Sequence, residues 1–255
     1  MQIDLTGRRA LVTGGGLGIG AAIARTLGAA GADVAVLYYG DSKDGALEVV
    51  AELTALGRKS VAIGADLMDP EAATASVKEA AEALGGLDII VNNAGHMVGR
   101  ATVAEMTDEH WARVMDVNSS TGFYVSRAAI PYLTESSAGR IIFMSSLAAE
   151  NGGGAGSVAY AASKAALVGL CRGLAKELAG ENIAVNAMAP GFIGATSFHN
   201  TFTAPEVQEA IIAGIPMKRA GTVDDVANVA LFLASDLASY VTGQVIDING
   251  GLNFR

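Results

Sequence analysis

The chain has 255 residues, a length sufficient for one α/β domain with a sizeable buried core. Its formal net charge of −9 argues against nucleic acid as a partner, because a phosphate-binding surface needs clustered Lys and Arg. The single Cys171 excludes an intramolecular disulfide and a cysteine-based metal site. Its helical neighbours Leu167, Leu170 and Leu174 indicate that Cys171 lies in the core. We expect no metal site.

The start of the chain carries no sign of a targeting segment. Residues Met1–Thr6 lack a basic patch followed by an apolar region, and no apolar run reaches the roughly 18 residues of a membrane span. These features predict a cytoplasmic protein that does not insert into membranes.

Seven apolar runs alternate with segments of helical periodicity, which predicts strands buried on both faces, as in a parallel sheet. The runs are Arg9–Thr13, Asp33–Tyr38, Ser60–Ala65, Asp88–Asn92, Arg140–Ser145, Ile183–Ala189 and Gln244–Ile248. The helical segments include Gly20–Ala30, Asp44–Leu56, Pro70–Leu84 and Ser157–Ala179. This alternation predicts an α/β fold in which residues 1–255 form a single domain. We expect a doubly wound Rossmann-type sheet of about seven parallel strands with helices on both faces, whose ligands bind beyond the carboxyl ends of the strands.

A glycine-rich segment directly follows the first predicted strand and leads into the first helix. Residues Thr13–Gly20 read T-G-G-G-L-G-I-G. Glycines permit a tight turn and close backbone approach, while the start of a helix offers free N–H groups and a positive dipole end to a pyrophosphate. The segment therefore predicts a dinucleotide site. A turn that serves packing alone is the alternative, and the position between strand and helix disfavours it.

Tyr160 and Lys164 are one helical turn apart in the segment Y-A-A-S-K, so their side chains are neighbours. The lysine charge, together with an oxidised nicotinamide, could lower the tyrosine pKa from about 10 toward 7, which requires about 4 kcal/mol. Ser145 and Ser146 end the fifth predicted strand and place hydroxyls at the same edge of the sheet. The spacing of Tyr160 and Lys164 occurs by chance in many helices. It indicates a catalytic site only together with the nearby serine hydroxyls.

Together these motifs resemble those of the classical short-chain dehydrogenase/reductase family, over nearly the whole chain. Thr13–Gly20 resembles the family's T-G-x-x-x-G-x-G, Asn92–Gly95 its N-N-A-G, Tyr160–Lys164 its Y-x-x-x-K, and Asn186–Gly191 its N-x-x-x-P-G. The resemblance implies an NAD(P)(H)-dependent oxidoreductase that interconverts a secondary alcohol and a carbonyl group. Within the family, the chain resembles both 3-oxoacyl-thioester reductases and sugar or polyol dehydrogenases.

The resemblance implies four catalytic residues, Asn118, Ser146, Tyr160 and Lys164. Tyr160 would exchange a proton with the substrate oxygen, and Ser146 would hydrogen-bond that oxygen, with Ser145 as the neighbouring alternative. Lys164 would bind the nicotinamide ribose and depress the pKa of Tyr160. Asn118 would hold a water that connects the site to solvent.

The resemblance also implies where the cofactor binds. Asp66 follows the third predicted strand, where the family contacts adenine, while Tyr38 ends the second strand in place of the acidic residue that favours NAD. The segment around Tyr38 resembles the N-Y-x-x-S of NADP-preferring reductases, so we expect NADP(H) in preference to NAD(H). The expected cofactor contacts are Gly14, Gly16, Leu17, Gly18, Ile19, Gly20, Tyr38, Tyr39, Asp66, Leu67, Asn93, Ala94, Gly95, Tyr160, Lys164, Pro190, Gly191, Ile193 and Thr196.

Four polar residues are expected to face the substrate: His96, Glu150, Asn151 and His199. Buried donors and acceptors that an apolar ligand leaves unpaired are costly, so this set favours a sugar, a polyol or a related hydroxylated small molecule. Reduction of a 3-oxoacyl-[acyl-carrier-protein] or another acyl thioester is the alternative. A cofactor-binding sensor without turnover is an alternative of a different class. We expect residues 192–215 to form a substrate lid, and the family implies a homotetramer.

Overall fold

The computed structural model describes residues 3–196 and 201–254, and within these ranges seven strands form one sheet whose pairings are all parallel. The strands are β1 (Arg9–Thr13), β2 (Asp33–Tyr38), β3 (Ser60–Gly64), β4 (Ile89–Asn92), β5 (Gly139–Met144), β6 (Ile183–Pro190) and β7 (Val245–Ile248). Each begins and ends within one residue of a predicted apolar run. The predicted fold class is confirmed.

The order of the strands determines where a ligand can bind. Across the sheet they run β3-β2-β1-β4-β5-β6-β7, so the chain leaves β1 toward one edge and returns to continue from β4 toward the other. The connections that follow β1 and β4 therefore diverge and leave a crevice at the carboxyl ends of these neighbouring strands.

Helices cover both faces of the sheet. They are α1 (Gly18–Ala29), α2 (Lys43–Ala55), α3 (Pro70–Leu84), α4 (Asp108–Met115), α5 (Thr121–Leu133), α6 (Ala148–Asn151), α7 (Val158–Leu178), α8 (Pro205–Gly214) and α9 (Val223–Ala234). Side chains of α1, α2 and α9 share one apolar core with the sheet, and side chains of α3, α5 and α7 share another.

Alternate strand residues supply these two cores. Val12 and Val91 pack on the side of α1, whereas Leu11 and Ile90 pack on the side of α3, and all four are fully buried. Burial on both faces explains why the strands read as continuous apolar runs in the sequence.

One helical segment, Val158–Glu181, is long and apolar enough to cross a membrane when judged by length and composition alone. The segment contains α7, which packs against β5 and β6. On it, Cys171 is fully buried, and burial raises the pKa of its thiol to about 12, as expected for a core residue. A single helix of this kind in the described chain is weak evidence for a membrane span, since helices in the core of a fold pass the same test.

Candidate active site

A cavity of about 1040 Å³ opens beyond the carboxyl ends of the strands. Residues that directly follow six different strands line it, namely Gly14, Tyr39, Ala65, Asn93, Ser145 and Gly191. Its volume is at the upper end of the range for small-molecule sites, which leaves space for a dinucleotide and a small substrate together.

The glycine-rich turn forms one wall of this cavity, and its geometry requires glycine. Gly14 has a φ of +62°, and its carbonyl oxygen would lie 2.1 Å from a Cβ placed on Gly20. The Asn93 side chain donates hydrogen bonds to the carbonyls of Thr13, at 2.9 Å, and Gly14, at 3.2 Å. The turn is thus joined to the end of β4, and it presents the first residues of α1 to the cavity, which fits a bound pyrophosphate.

The structure brings the predicted cofactor residues together around this cavity, with the exception of Gly16. A Cβ at Gly16 would lie 2.4 Å from the carbonyl oxygen of Ser42. Gly16 therefore packs against the loop after β2, and its role as a cofactor contact stays a prediction. Thr196 lines the cavity and donates a hydrogen bond from Oγ1 to the carbonyl of Ile193, at 3.2 Å.

One end of the cavity lies between the glycine turn after β1 and the loops after β2 and β3, where the adenosine and pyrophosphate of a dinucleotide would lie; we call it the nucleotide end. The Tyr38 ring packs over Gly64, where an added Cβ would be 3.0 Å from the ring. Among the described residues, the charged side chains that line this end are the carboxylates of Asp41 and Asp66.

Ser145 and Ser146, the two candidates for the substrate hydroxyl, have different surroundings. Ser145 is buried, and its hydroxyl donates a 2.9 Å hydrogen bond to the carbonyl of Lys164, which joins β5 to α7. Ser146 is half-buried, lines the cavity and is hydrogen-bonded to the phenol of Tyr160. The geometry therefore distinguishes Ser145, whose hydroxyl is used within the fold, from Ser146, which lines the cavity beside Tyr160.

The environment of Tyr160 keeps its phenol protonated. Burial raises the pKa of Tyr160 to about 12, and the hydrogen bond to Ser146 lowers it only in part. The ammonium of Lys164 lies 5.7 Å from the centre of the Tyr160 ring and donates to the carbonyl of Met144, at 2.9 Å. The lowering of the tyrosine pKa toward 7, which was expected from the lysine charge together with an oxidised nicotinamide, stays a prediction for the enzyme with its cofactor bound.

Lys164 is itself almost fully buried, and this burial lowers its pKa to about 8. Gly95 makes its position possible, because an added Cβ there would lie 2.8 Å from the lysine Nζ and 2.6 Å from Oδ1 of Asn118. The glycine of the N-N-A-G segment thus allows Lys164 and Asn118 to approach the same stretch of backbone.

Asn118 lies in a π-helical turn, Asp116–Ser120, between α4 and α5. Its side-chain nitrogen donates to the carbonyls of His96, at 2.8 Å, and Val114, at 2.9 Å, and its oxygen accepts from the His96 N–H, at 3.1 Å. Turns of this type often occur at functional sites. Asn118 therefore fixes the loop after β4 against the helices beneath it.

The opposite end of the cavity, beyond Tyr160, is the substrate end. His96 lines it with its ring against Phe202, the ring centres 5.3 Å apart. Its Nδ1 accepts a hydrogen bond from the Val98 N–H, at 2.9 Å, so in the neutral ring Nε2 carries the proton. Burial and the charge of Arg113 lower the pKa of His96, which favours this neutral form.

The other predicted substrate contacts are placed differently. Asn151 lines the cavity. Glu150 is exposed on α6 and is not among the described residues that line the cavity, so its role as a substrate contact stays a prediction. His199 lies outside the described residues.

Sequence reasoning missed Arg100, which connects three segments at the substrate end. Its Nε donates to the carbonyl of Phe202, at 3.2 Å, and its Nη1 donates to the carbonyl of Ala155 and the hydroxyl of Ser157, each at 2.9 Å. These partners come together only in the folded chain, so no local pattern marks Arg100. Nearby, Val98 has a φ of +66°, a strained conformation for a β-branched residue.

Known proteins similar to this chain identify its family. The family model described as enoyl-(acyl carrier protein) reductase matches residues 15–253. A short-chain dehydrogenase from Burkholderia cenocepacia, solved in complex with NADP, is 39% identical, with a TM-score of 0.92 over 98% of this chain and 100% of that one. The chain belongs to the short-chain dehydrogenase/reductase family. It is therefore an NAD(P)-dependent oxidoreductase that interconverts an alcohol and a carbonyl group.

Two further members show how widely named substrates vary among similar chains. The 3-oxoacyl-[acyl-carrier-protein] reductase FabG of Staphylococcus aureus is 40% identical over 245 residues, which is 96% of this chain and 98% of the relative. A structure named NAD(P)-dependent gluconate 5-dehydrogenase, from Beutenbergia cavernae, is 40% identical with a TM-score of 0.90 and covers 99% of both chains. Equal identity to a thioester reductase and to a sugar-acid dehydrogenase means that the comparisons define the chemistry more closely than the substrate.

Proposed function

We propose that this short-chain dehydrogenase/reductase interconverts a ketone and a secondary alcohol of a small hydroxylated substrate, with NADP(H) as its preferred cofactor. One observation carries the proposal. Ser146 and Tyr160 are hydrogen-bonded to each other on the cavity wall, beside the buried Lys164, and the glycine turn at the nucleotide end fits a dinucleotide.

In this proposal the bound nicotinamide supplies or accepts the hydride. The Ser146 hydroxyl hydrogen-bonds the substrate oxygen and is itself held by the N–H of Ala148, which donates to its Oγ at 3.1 Å. Tyr160 gives its phenolic proton to the same oxygen in reduction and takes it back in oxidation. Because the pKa of Tyr160 is raised to about 12, the proton is in place across the physiological range in the reductive direction.

Lys164 and Asn118 support this proton transfer. With its pKa lowered to about 8, Lys164 exchanges a proton more readily near neutral pH than an ordinary lysine, and its ammonium is available to ribose hydroxyls. Asn118 keeps the loop that carries His96 in place and would hold the water that leads to solvent. In this account Tyr160 acts on the substrate, while Lys164 and Asn118 act around it.

NADP(H) preference is supported by Tyr38 at the end of β2, where an acidic residue would favour NAD. Asp41 lines the same end, and its carboxylate opposes a ribose phosphate. Asp41→Asn is therefore expected to raise the ratio of kcat/KM for NADPH to that for NADH by about tenfold. Steady-state kinetics with both cofactors measures it. Wild-type enzyme that favours NADH would contradict the NADP(H) preference.

The residues of the substrate end support two substrate classes. His96 and Asn151 give the substrate end polar groups that suit a sugar, a polyol or a related compound. Reduction of a 3-oxoacyl thioester is the second candidate, favoured by the identity to FabG and by Val207, Ile211 and Leu252, which add apolar surface to the cavity.

Nicotinamide absorbance, followed with each cofactor, tests the proposal across sugars, polyols, secondary alcohols and acetoacetyl thioesters. Turnover of hydroxylated ketones or their alcohols is the expected result. Activity confined to thioesters would replace the first substrate class with the second. Binding of cofactor without turnover of any compound would contradict the proposal and would support the alternative that the protein is a cofactor sensor.

We further propose that residues 192–215 form a lid within a single domain spanning residues 1–255. Val207 and Ile211 of α8 line the cavity, which supports a covering role. A cytoplasmic homotetramer is proposed from the family, and the exposed apolar side chains of Tyr240 and Phe254 near the chain end are consistent with packing between subunits. Light scattering of the purified enzyme measures the assembly, and a monomeric mass would contradict it.

A further inference from the structure

Opposite charges occupy the two ends of the cavity. Among the described residues, the charged side chains that line it are two carboxylates at the nucleotide end, the ammonium of Lys164 in the middle, and the guanidinium groups of Arg100 and Arg113 at the substrate end. No carboxylate of the described chain lines the substrate end. The chain has 26 acidic residues and only 17 basic ones, so its surface is negative on average. The positive charge at the substrate end is therefore opposite in sign to the net charge of the protein.

Neither arginine is neutralised by a described carboxylate. The hydrogen bonds of Arg100 go to two backbone carbonyls and one hydroxyl, and its Nη2 makes no hydrogen bond to a described residue. Arg113, exposed on α4, makes no ion pair with the described chain. By contrast, Arg25 and Arg219, away from the cavity, pair with Glu52 and Asp225 through two hydrogen bonds each.

A preorganised guanidinium is suited to one kind of ligand. Its planar donors match the oxygens of a carboxylate or a phosphate, and a charge-assisted bond in a partly enclosed site is about twice as strong as a neutral one. Arg100 is held by three hydrogen bonds before any ligand arrives, so little side-chain freedom remains to be lost on binding. His96, which lines the same cavity, adds a neutral N–H donor.

We propose that the substrate end recognises an anionic group, a carboxylate or a phosphate, carried by the carbonyl compound that the enzyme reduces. Arg113 and Arg100 are the residues that determine this specificity. The inference rests on the proposed function, since it adds a charge requirement to the substrate of the same site.

Matched pairs of carbonyl compounds that differ in charge test the inference. Acetoacetate is compared with its methyl ester, and dihydroxyacetone phosphate with dihydroxyacetone, at saturating NADPH. The measured quantity is the ratio of kcat/KM for the anionic member to that for the neutral member, and the two pairs distinguish a carboxylate from a phosphate. Wild-type enzyme is expected to favour the anionic member of one pair by about tenfold or more.

Arg113→Gln is the main variant, because Arg113 is exposed and its replacement is expected to fold. It should lower the anionic-to-neutral ratio by about tenfold, whereas Arg113→Lys, which keeps the charge, should retain most of it. Arg127→Gln is the matched control. Arg127 is an exposed arginine of α5 that stacks 5.1 Å from the Phe123 ring and does not line the cavity, so the ratio should stay at the wild-type value.

Salt provides a second readout. Raising the ionic strength should reduce kcat/KM for the anionic member and spare the neutral one, since exposed charges are screened. Preference for the neutral members, or an unchanged ratio in Arg113→Gln, would overturn the inference while leaving the proposed function intact. Failure to turn over these four compounds and every sugar, polyol and secondary alcohol of the wider panel, with cofactor bound, would contradict the proposed function itself.

Discussion

The two ends of the cavity are built by different means. At the nucleotide end the shape comes from backbone, through the turn at Gly14 and the strand ends that Asn93 ties together. At the substrate end it comes from side chains on loops and on α8, held by the contacts of Arg100. The end formed by backbone suits the cofactor, which members of the family have in common. The end formed by side chains on loops can differ between members, and with it the substrate that they bind.

The two ends also differ in the steric strain of their backbone. Gly14 and Gly18 adopt positive φ angles at little steric cost, whereas Val98 adopts φ of +66° against its preference. The Val98 N–H donates to His96, and that bond helps to hold the strained turn. The strained residue at the substrate end is therefore joined directly to the ring of His96, which lines the cavity.

Tyr160→Phe, at the junction of the two ends, is expected to have the largest effect. Removing the phenolic proton should lower kcat by about 10³-fold or more, within the range of general acid catalysis. Affinity for NADPH should change by less than about threefold, because the nucleotide end is untouched. Stopped-flow kinetics and fluorescence titration of NADPH measure the two quantities. Substantial turnover by the variant would refute the role of Tyr160.

Ser146→Ala and Ser145→Ala form a matched pair at the same junction. Ser146→Ala should lower kcat by about 10²-fold, since a donor to the substrate oxygen is lost. Ser145→Ala should instead lower the free energy of unfolding by about 1 to 2 kcal/mol, because the buried bond to the Lys164 carbonyl is lost. Kinetics and denaturant unfolding separate the outcomes. If Ser145→Ala were the catalytically impaired variant, the assignment would be reversed.

Gly20→Ala tests the backbone-built end. Its Cβ would approach the Gly14 carbonyl to 2.1 Å, so the turn must shift, at a cost of about 1 to 3 kcal/mol. We expect NADPH to bind at least about tenfold more weakly. Gly173→Ala is the control, since that helical glycine has open space around it and alanine should stabilise the helix slightly. Unchanged affinity in Gly20→Ala would contradict the tight-turn account.

Lys164→Met addresses the buried charge between the two ends. In the folded chain the pKa of Lys164 is lowered to about 8 from 10.5, so folding is disfavoured while the lysine is charged. The unfolded state binds more protons between these values, and wild-type stability should rise with pH across that window, by up to about 3 kcal/mol. Lys164→Met should lack this rise and be at least as stable as wild type at pH 7. Urea unfolding at several pH values measures it, and parallel pH profiles would contradict the burial of a charged lysine.

The sequence was informative wherever backbone and periodicity decide the structure. All seven strands were predicted to within one residue at each end, because they read as apolar runs; the inner strands are buried on both faces, while the edge strands β3 and β7 are only partly buried. The residues around the cavity at strand ends, such as Asp66 and Asn93, followed from the same argument.

Features that depend on tertiary contacts were not predictable. Gly16 fits the glycine motif but packs against Ser42, a contact set by the path of the loop after β2. The direction of the Tyr160 pKa shift depends on desolvation, which a helical spacing does not report. Arg100 has partners up to 102 residues away in sequence, so only the fold reveals its position.

Transfer of deuterium from NADPH labelled at the nicotinamide C4 position tests most directly that the two ends act together on one substrate. Mass spectrometry of the alcohol formed from a ketone identified in the substrate panel provides the measurement. The account predicts one deuterium on the former carbonyl carbon, from one of the two labelled faces of the nicotinamide. An alcohol without deuterium from either labelled form, or no alcohol from any ketone with NADPH bound, would contradict it.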